Sequence, residues 1–124
     1  MPKKIMVVDD EPYIARVIKF KLEQEGYQVF SANDGITGLN KIKEDKPDLV
    51  LLDVMMPGLS GYEVCQKIKA DAELSGIPVV ILTAKGQERD REQGFNVGAN
   101  DYITKPFSPN RLLELVKSII GEAK

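Results

Sequence analysis

Hydrophobic positions along the chain fall into two kinds of pattern. Residues 5–8 (IMVV), 49–52 (LVLL) and 79–82 (VVIL) are continuously apolar. Short runs of this kind, rich in Val and Ile, predict strands covered on both faces, as in a parallel sheet. Residues 27–30 (YQVF) are more mixed and 101–104 (DYIT) are shorter, which predicts edge strands. Between these runs the apolar spacing changes to that of helices. Ile14, Val17, Ile18 and Leu22 share a face, as do Gly61, Val64, Cys65 and Ile68. Leu112, Leu115, Val116 and Ile119 do the same near the C-terminus, and Ile36, Leu39 and Ile42 form a thinner stripe. Pro12 suits a first helical turn and Gly26 a helix stop.

Strand and helix signals therefore alternate five times. Strict alternation predicts an α/β fold with a parallel sheet between two helical layers. Right-handed crossovers, with strands 2 and 5 at the edges, give the order 2-1-3-4-5. The expected architecture is a single-domain (βα)5 flavodoxin-like three-layer sandwich, spanning residues 1–124. One segment stands apart. Residues 86–98 (GQERDREQGFNVG) occupy the place of the fourth helix, yet only Phe95 and Val97 are strongly apolar. A helix with so little to bury should be loosely held. It reads either as a solvated helix or as a recognition surface.

Composition narrows the chemistry. A chain of 124 residues, 43% apolar and 29% charged, can bury a core without staples. A net charge of −2 does not mark the surface as a binder of nucleic acid or membrane. Cys65 is the single cysteine, so no internal disulfide can form. With no signal-like or long apolar segment, the expected address is the cytoplasm. There is no histidine, which removes His-based general bases, Ser-His triads and the commonest zinc ligand.

The strand ends carry what chemistry remains. In an open parallel sheet, ligands bind beyond the carboxyl ends of the strands where strand order reverses, here between strands 1 and 3. Strand 1 runs into Asp9, Asp10 and Glu11, and strand 3 into Asp53. Neighbouring strands lie about 5 Å apart, so aspartates from distant segments should converge. Converging carboxylates repel unless a cation or a shared proton relieves them. Oxygen donors without His or Cys select a hard ion such as Mg²⁺ or Mn²⁺. Strand 4 ends in Thr83-Ala84 and strand 5 in Thr104-Lys105-Pro106. A hydroxyl, an ammonium and a metal beside a carboxylate form a pocket for a phosphoryl group, which the carboxylate can attack. Each piece has a plainer use. An acidic triplet before a proline also serves as a helix cap. A lone Asp after a strand is often a turn residue, and a Thr or Lys there is often solvated. Complementary chemistry on four strand ends of one sheet edge favours the site.

These residues resemble the response-regulator receiver domain over essentially the whole chain. The resemblance rests on VVDDE (7–11), PDLVLLDVMMPGLSGYE (47–63), LTA (82–84) and GANDYITKPF (98–107). It implies that Asp53 is the phosphoacceptor. Asp9 and Asp10 match the acid pair that holds Mg²⁺ together with Asp53 and the main-chain carbonyl of Met55. Lys105 matches the lysine that contacts the phosphoryl group, and the resemblance implies a cis bond to Pro106. Thr83 matches the switch hydroxyl and Tyr102 the aromatic that turns inward with it. The implied partners are a sensor histidine kinase or histidine phosphotransfer protein, and an output domain or protein that meets the fourth helix, fifth strand and fifth helix. A phosphorylation-dependent dimer belongs to the same expectation. Such a domain is a switch in a phosphorelay and not an enzyme acting on other substrates.

Two residues bear on the lifetime of the acyl phosphate. Met55, two after Asp53, lacks a strong acceptor, and protonated Lys85, two after Thr83, has none. Neither suits the orientation of an attacking water, which predicts a long-lived phosphoryl group unless both side chains simply face solvent. Rival functions fit less well. A phosphatase with an aspartyl-phosphate intermediate would place a second Asp two residues after the nucleophile, where Met55 stands, and would carry a cap insertion. A flavodoxin-type module would want Gly, Ser or Thr after strand 1, where the sequence is DDEPY. An unphosphorylated scaffold would leave the site residues unexplained.

Overall fold

The computed structural model describes residues 2–56, 58–84 and 98–123. Its elements follow in the order β1 (Lys4–Val8), α1 (Pro12–Gln24), β2 (Gln28–Ala32), α2 (Gly35–Asp45), β3 (Leu49–Asp53), α3 (Gly61–Ala70), β4 (Val79–Ala84), β5 (Asp101–Lys105) and a C-terminal helix (Pro109–Ile120). The five strands form one parallel sheet of order β2-β1-β3-β4-β5. The fold class and strand order expected from the apolar runs are therefore found. The predicted fourth helix over 86–98 falls almost wholly outside the described residues, as does Lys85.

Alternation along each strand sorts its side chains to the two faces of the sheet. Met6 and Val8 of β1 join Val50 and Leu52 of β3, Val79 and Ile81 of β4, and Leu39, Ile42, Val64, Cys65 and Ile68 of α2 and α3. Ile5 and Val7 join Leu49, Leu51, Val80 and Leu82, and on this face Ile18 and Leu22 of α1 and Leu112 and Val116 of the C-terminal helix complete the layer. Continuous apolar runs were needed because β1, β3 and β4 have no solvent face. Full burial of one such side chain contributes about 1.5–3 kcal/mol, so the inner strands hold the sheet's edge rigidly where they end.

Two expectations need correcting. Ile36 was placed on the buried stripe of α2, but its side chain is exposed. The face that meets the sheet is built from Gly35, Gly38, Leu39 and Ile42. A Cβ at Gly38 would come within 2.8 Å of both methyls of Val8, so the helix approaches β1 through a residue that carries no apolar signal. Tyr27 was read as the start of the second strand. It precedes β2 instead, buried against the α1 layer, with its hydroxyl donating to the Gly121 carbonyl at 2.5 Å.

Candidate functional site

The carboxyl edge of the sheet between β1 and β3 collects the acids. The Asp9 amide donates to the Ala32 carbonyl at 3.1 Å, carrying the β1–β2 pairing one residue past the strand. Asp9 Oδ1 accepts the Glu11 amide at 2.9 Å. These bonds fix Asp9 with only 1% of its surface exposed. Asp53 closes β3 and is 5% exposed. Behind it, the Gly61 amide donates to the Val54 carbonyl at 3.0 Å. A Cβ on Gly61 would collide with the Asp53 carbonyl oxygen, so only glycine lets α3 start this close to the strand end. A capping box, Ser60 with Glu63, fixes the first turn of α3 against that loop.

Asp9, Asp10, Glu11 and Asp53 each offer a carboxylate oxygen, and these oxygens lie within 4.8 Å of one another. The Lys105 ammonium enters from β5. Its Nζ is 3.0 Å from Asp9 Oδ2, 3.2 Å from Glu11 Oε1 and 3.4 Å from Asp53 Oδ1. The Lys105–Pro106 peptide bond is cis, as expected. The reading of the acidic triplet as a helix cap is not what the geometry gives. Glu11 holds the N-cap position of α1 without a side-chain cap bond, and its carboxylate turns to Lys105.

Among the described residues, one cation faces four acids, which leaves negative charge uncompensated. Burial, then the charge of Asp9 and a hydrogen bond with the Asp10 carboxyl, push the Asp53 carboxyl up to about 7, against the pull of Lys105. Burial acts to lower the Lys105 pKa, but its bond to Asp9 and the charges of Asp53 and Asp9 prevail and hold it above the ordinary lysine value. The donor set is all oxygen and negatively charged, and its nucleophile candidate is half-protonated near neutrality. A divalent hard cation fits such a site, because it would replace that proton and stabilise the charged form.

The comparisons with known proteins identify the family. The family model of the response regulator receiver domain matches residues 5–117. The chain belongs to the response regulator receiver domain family. This receiver domain is similar to a chain from Chloroflexus aurantiacus J-10-fl described as a response regulator, at 34% identity and TM-score 0.93, covering 98% of this chain and 100% of that one. The Vibrio cholerae chemotaxis protein CheY4 superposes with TM-score 0.90 at 28% identity, covering 96% of this chain and 99% of that one. NtrX from Brucella abortus matches at 31% identity and TM-score 0.89 over 97% of this chain but only 27% of its own, so the same domain also occurs within a longer protein. Domains of this family are phosphorylation-dependent switches of two-component signalling that work with histidine kinases and output domains.

Of the remaining predicted residues, Thr83 and Met55 lie at or just past the carboxyl ends of their strands, and Tyr102 lies three residues before Lys105 in β5. Thr83 is buried near the end of β4, one residue past the partner of Asp53 in the sheet register. It pairs with Thr104, which precedes Lys105. Met55 follows β3 and is 66% exposed. Tyr102 lies in β5, half-buried against the α2–α3 layer, with its amide donating to Asp101 Oδ1 at 2.8 Å. Glu11 is the residue whose contact sequence reasoning passed over. It was read as part of an acidic run, and nothing in its spacing showed that it would meet a lysine from the far end of the chain.

Proposed function

We propose that Asp53 of this receiver domain accepts a phosphoryl group from a phosphohistidine on a sensor kinase or phosphotransfer protein. Asp9, Asp10, Asp53 and the main-chain carbonyl of Met55 would hold Mg²⁺. When bound, Mg²⁺ supplies charge neutralisation for the acids and for the oxygens of the incoming group. The Asp53 carboxylate oxygen attacks phosphorus, the P–N bond breaks, and the departing imidazole nitrogen keeps the electron pair. Lys105 exchanges one carboxylate contact for a phosphoryl oxygen. The observation that carries this reading is the meeting of four carboxylates and the Lys105 ammonium at one sheet edge.

Switching then follows as a population shift. The buried Thr83 hydroxyl gains an acceptor when a phosphoryl group sits on Asp53, and a state in which Thr83 and Tyr102 move toward it is favoured by that difference. The change would be read by an output domain or protein at β5 and the C-terminal helix, together with the fourth helix expected over 86–98. A coupling of about 1–3 kcal/mol modulates output about 5- to 150-fold. The test is incubation with acetyl phosphate and Mg²⁺ followed by intact-mass measurement. The wild-type chain should gain one phosphoryl group, and neither Asp53→Ala nor chelated wild type should gain any. Modification of Asp53→Ala to the same extent overturns the assignment.

A further inference from the structure

A second concave site lies beside the acidic edge, and its charge is opposite. It is a cleft of about 450 Å³ between α1 and α2, walled by Arg16 and Lys19 on one side and by Thr37 and Lys41 on the other, with Ser31 and Asn33 at the end of β2. The volume lies within the range of small-molecule sites. Lys41 Nζ donates to the Ser31 carbonyl at 2.9 Å, which turns its ammonium toward the cleft wall and leaves further N–H groups to donate. Among the described residues no carboxylate pairs with Arg16, Lys19 or Lys41. Lys105 at the neighbouring edge meets Asp9, Glu11 and Asp53, and Lys46 at the C-cap of α2 meets Glu73, whereas Lys43 on α2's last turn pairs with no carboxylate among the described residues. Three cations line one cleft whose single lining acid, Asp9, is already paired with Lys105, and an anion relieves the repulsion among them.

We propose that this cleft binds a compact phosphate-bearing small molecule. Arg16 supplies a planar fork suited to a phosphate, Lys19 and Lys41 supply point charges, and the Asn33 amide and Ser31 hydroxyl can complete the oxygen shell. The size of the ligand follows from the acid in the wall, Asp9, and from Asp34 bonded to the lining residue Thr37. Asp9 borders the cleft on the sheet side, and Asp34 holds Thr37 through bonds of 2.7 and 2.9 Å. An extended polyanion such as a nucleic acid would have to cross these carboxylates, whereas a compact anion sits between the cations alone. Pro12, Ala15 and Ala32 offer a small apolar floor that favours an ester over bare phosphate. The inference rests on these residues and not on phosphoryl transfer to Asp53.

The test is titration of the chelator-treated chain with inorganic pyrophosphate, and separately with adenosine monophosphate, at constant ionic strength, followed by amide NMR shifts. Saturable shifts should concentrate at residues 15–19, 31–37 and 41. Neutralising Arg16, Lys19 and Lys41 together to Gln should weaken binding at least tenfold. Removing the same number of cations elsewhere, with Lys4, Lys43 and Lys67 changed to Gln, should alter it less than twofold. Tighter binding of the monophosphate identifies an ester ligand, and tighter binding of pyrophosphate a free polyanion. Asp53→Ala should bind as wild type does, which separates this site from the phosphoacceptor. Shifts that spread over the surface without saturating, or equal weakening in the two triple variants, overturn the proposal.

Discussion

Lys105 Nζ lies 3.0 Å from Asp9 Oδ2, joining the end of the last strand to the end of the first. The lysine side chain is 15% exposed and that of Asp9 is fully buried, so water screens the pair weakly. Removing one partner of a buried ion pair leaves the other charge uncompensated. Lys105→Met should therefore cost about 1–3 kcal/mol of unfolding free energy at pH 8 without divalent ions, because the acids can relieve part of the strain by taking a proton. Urea denaturation measures this, and an unchanged midpoint would show that the contact adds nothing to stability.

The raised Asp53 pKa has a definite consequence for stability against pH. A carboxyl whose folded pKa stands above its unfolded value binds its proton more tightly in the native state. Its contribution is fully present below the unfolded value of 3.8 and is lost as pH rises through about 7. Without metal, Asp53→Asn should accordingly be more stable than wild type above pH 7, by about 2–4 kcal/mol. The gain should vanish near pH 4. Denaturation curves of both chains in chelator from pH 4 to 8 would show it, and parallel profiles would contradict the assigned environment of Asp53.

Gly61 has a role that follows from packing alone. A Cβ there meets the Asp53 carbonyl oxygen, which is main chain and cannot rotate aside. Gly61→Ala should force the β3–α3 loop outward and destabilise the fold by about 1–3 kcal/mol. Because the loop carries Met55, phosphorylation by acetyl phosphate should also slow. A change in stability with an unchanged phosphorylation rate would mean that the loop moves without disturbing Asp53.

Met55 can be replaced without disturbing the core, since the residue is exposed. Met55→Asn introduces an amide able to orient water near an acyl phosphate. Decay of the phosphorylated chain, followed by intact mass after removal of the donor, should become faster. Unchanged or slower decay would mean that this position does not govern lifetime.

The sheet was legible because its signal is physical and local. IMVV, LVLL and VVIL have no polar residue to turn outward, and strands of that kind need cover on both faces. The convergence of Asp9, Asp10 and Asp53 then followed from strand order, without any contact being known. Other features carry no such signal. Glycine has no hydrophobic side chain, so the packing of Gly38 on Val8 left Ile36 to be counted in its place. Lys69 is a second case. Its ammonium donates to the Ile77 carbonyl at 2.7 Å and to Asn100 Oδ1 at 3.0 Å, pinning the entry to β5, yet in the sequence it is one more lysine on a helix. Contacts between polar groups far apart in the chain have no period to read.

The account depends on Asp9, Asp10 and Asp53 sharing one divalent cation. The most direct measurement is a crystal structure of the chain grown in magnesium. It should show one ion at the β1–β3 edge, bonded to carboxylate oxygens of Asp53 and the Asp9–Asp10 pair at about 2.0–2.1 Å, with waters filling an octahedron. Well-ordered acids at that edge with no ion between them, at a magnesium concentration that supports phosphorylation, would contradict it.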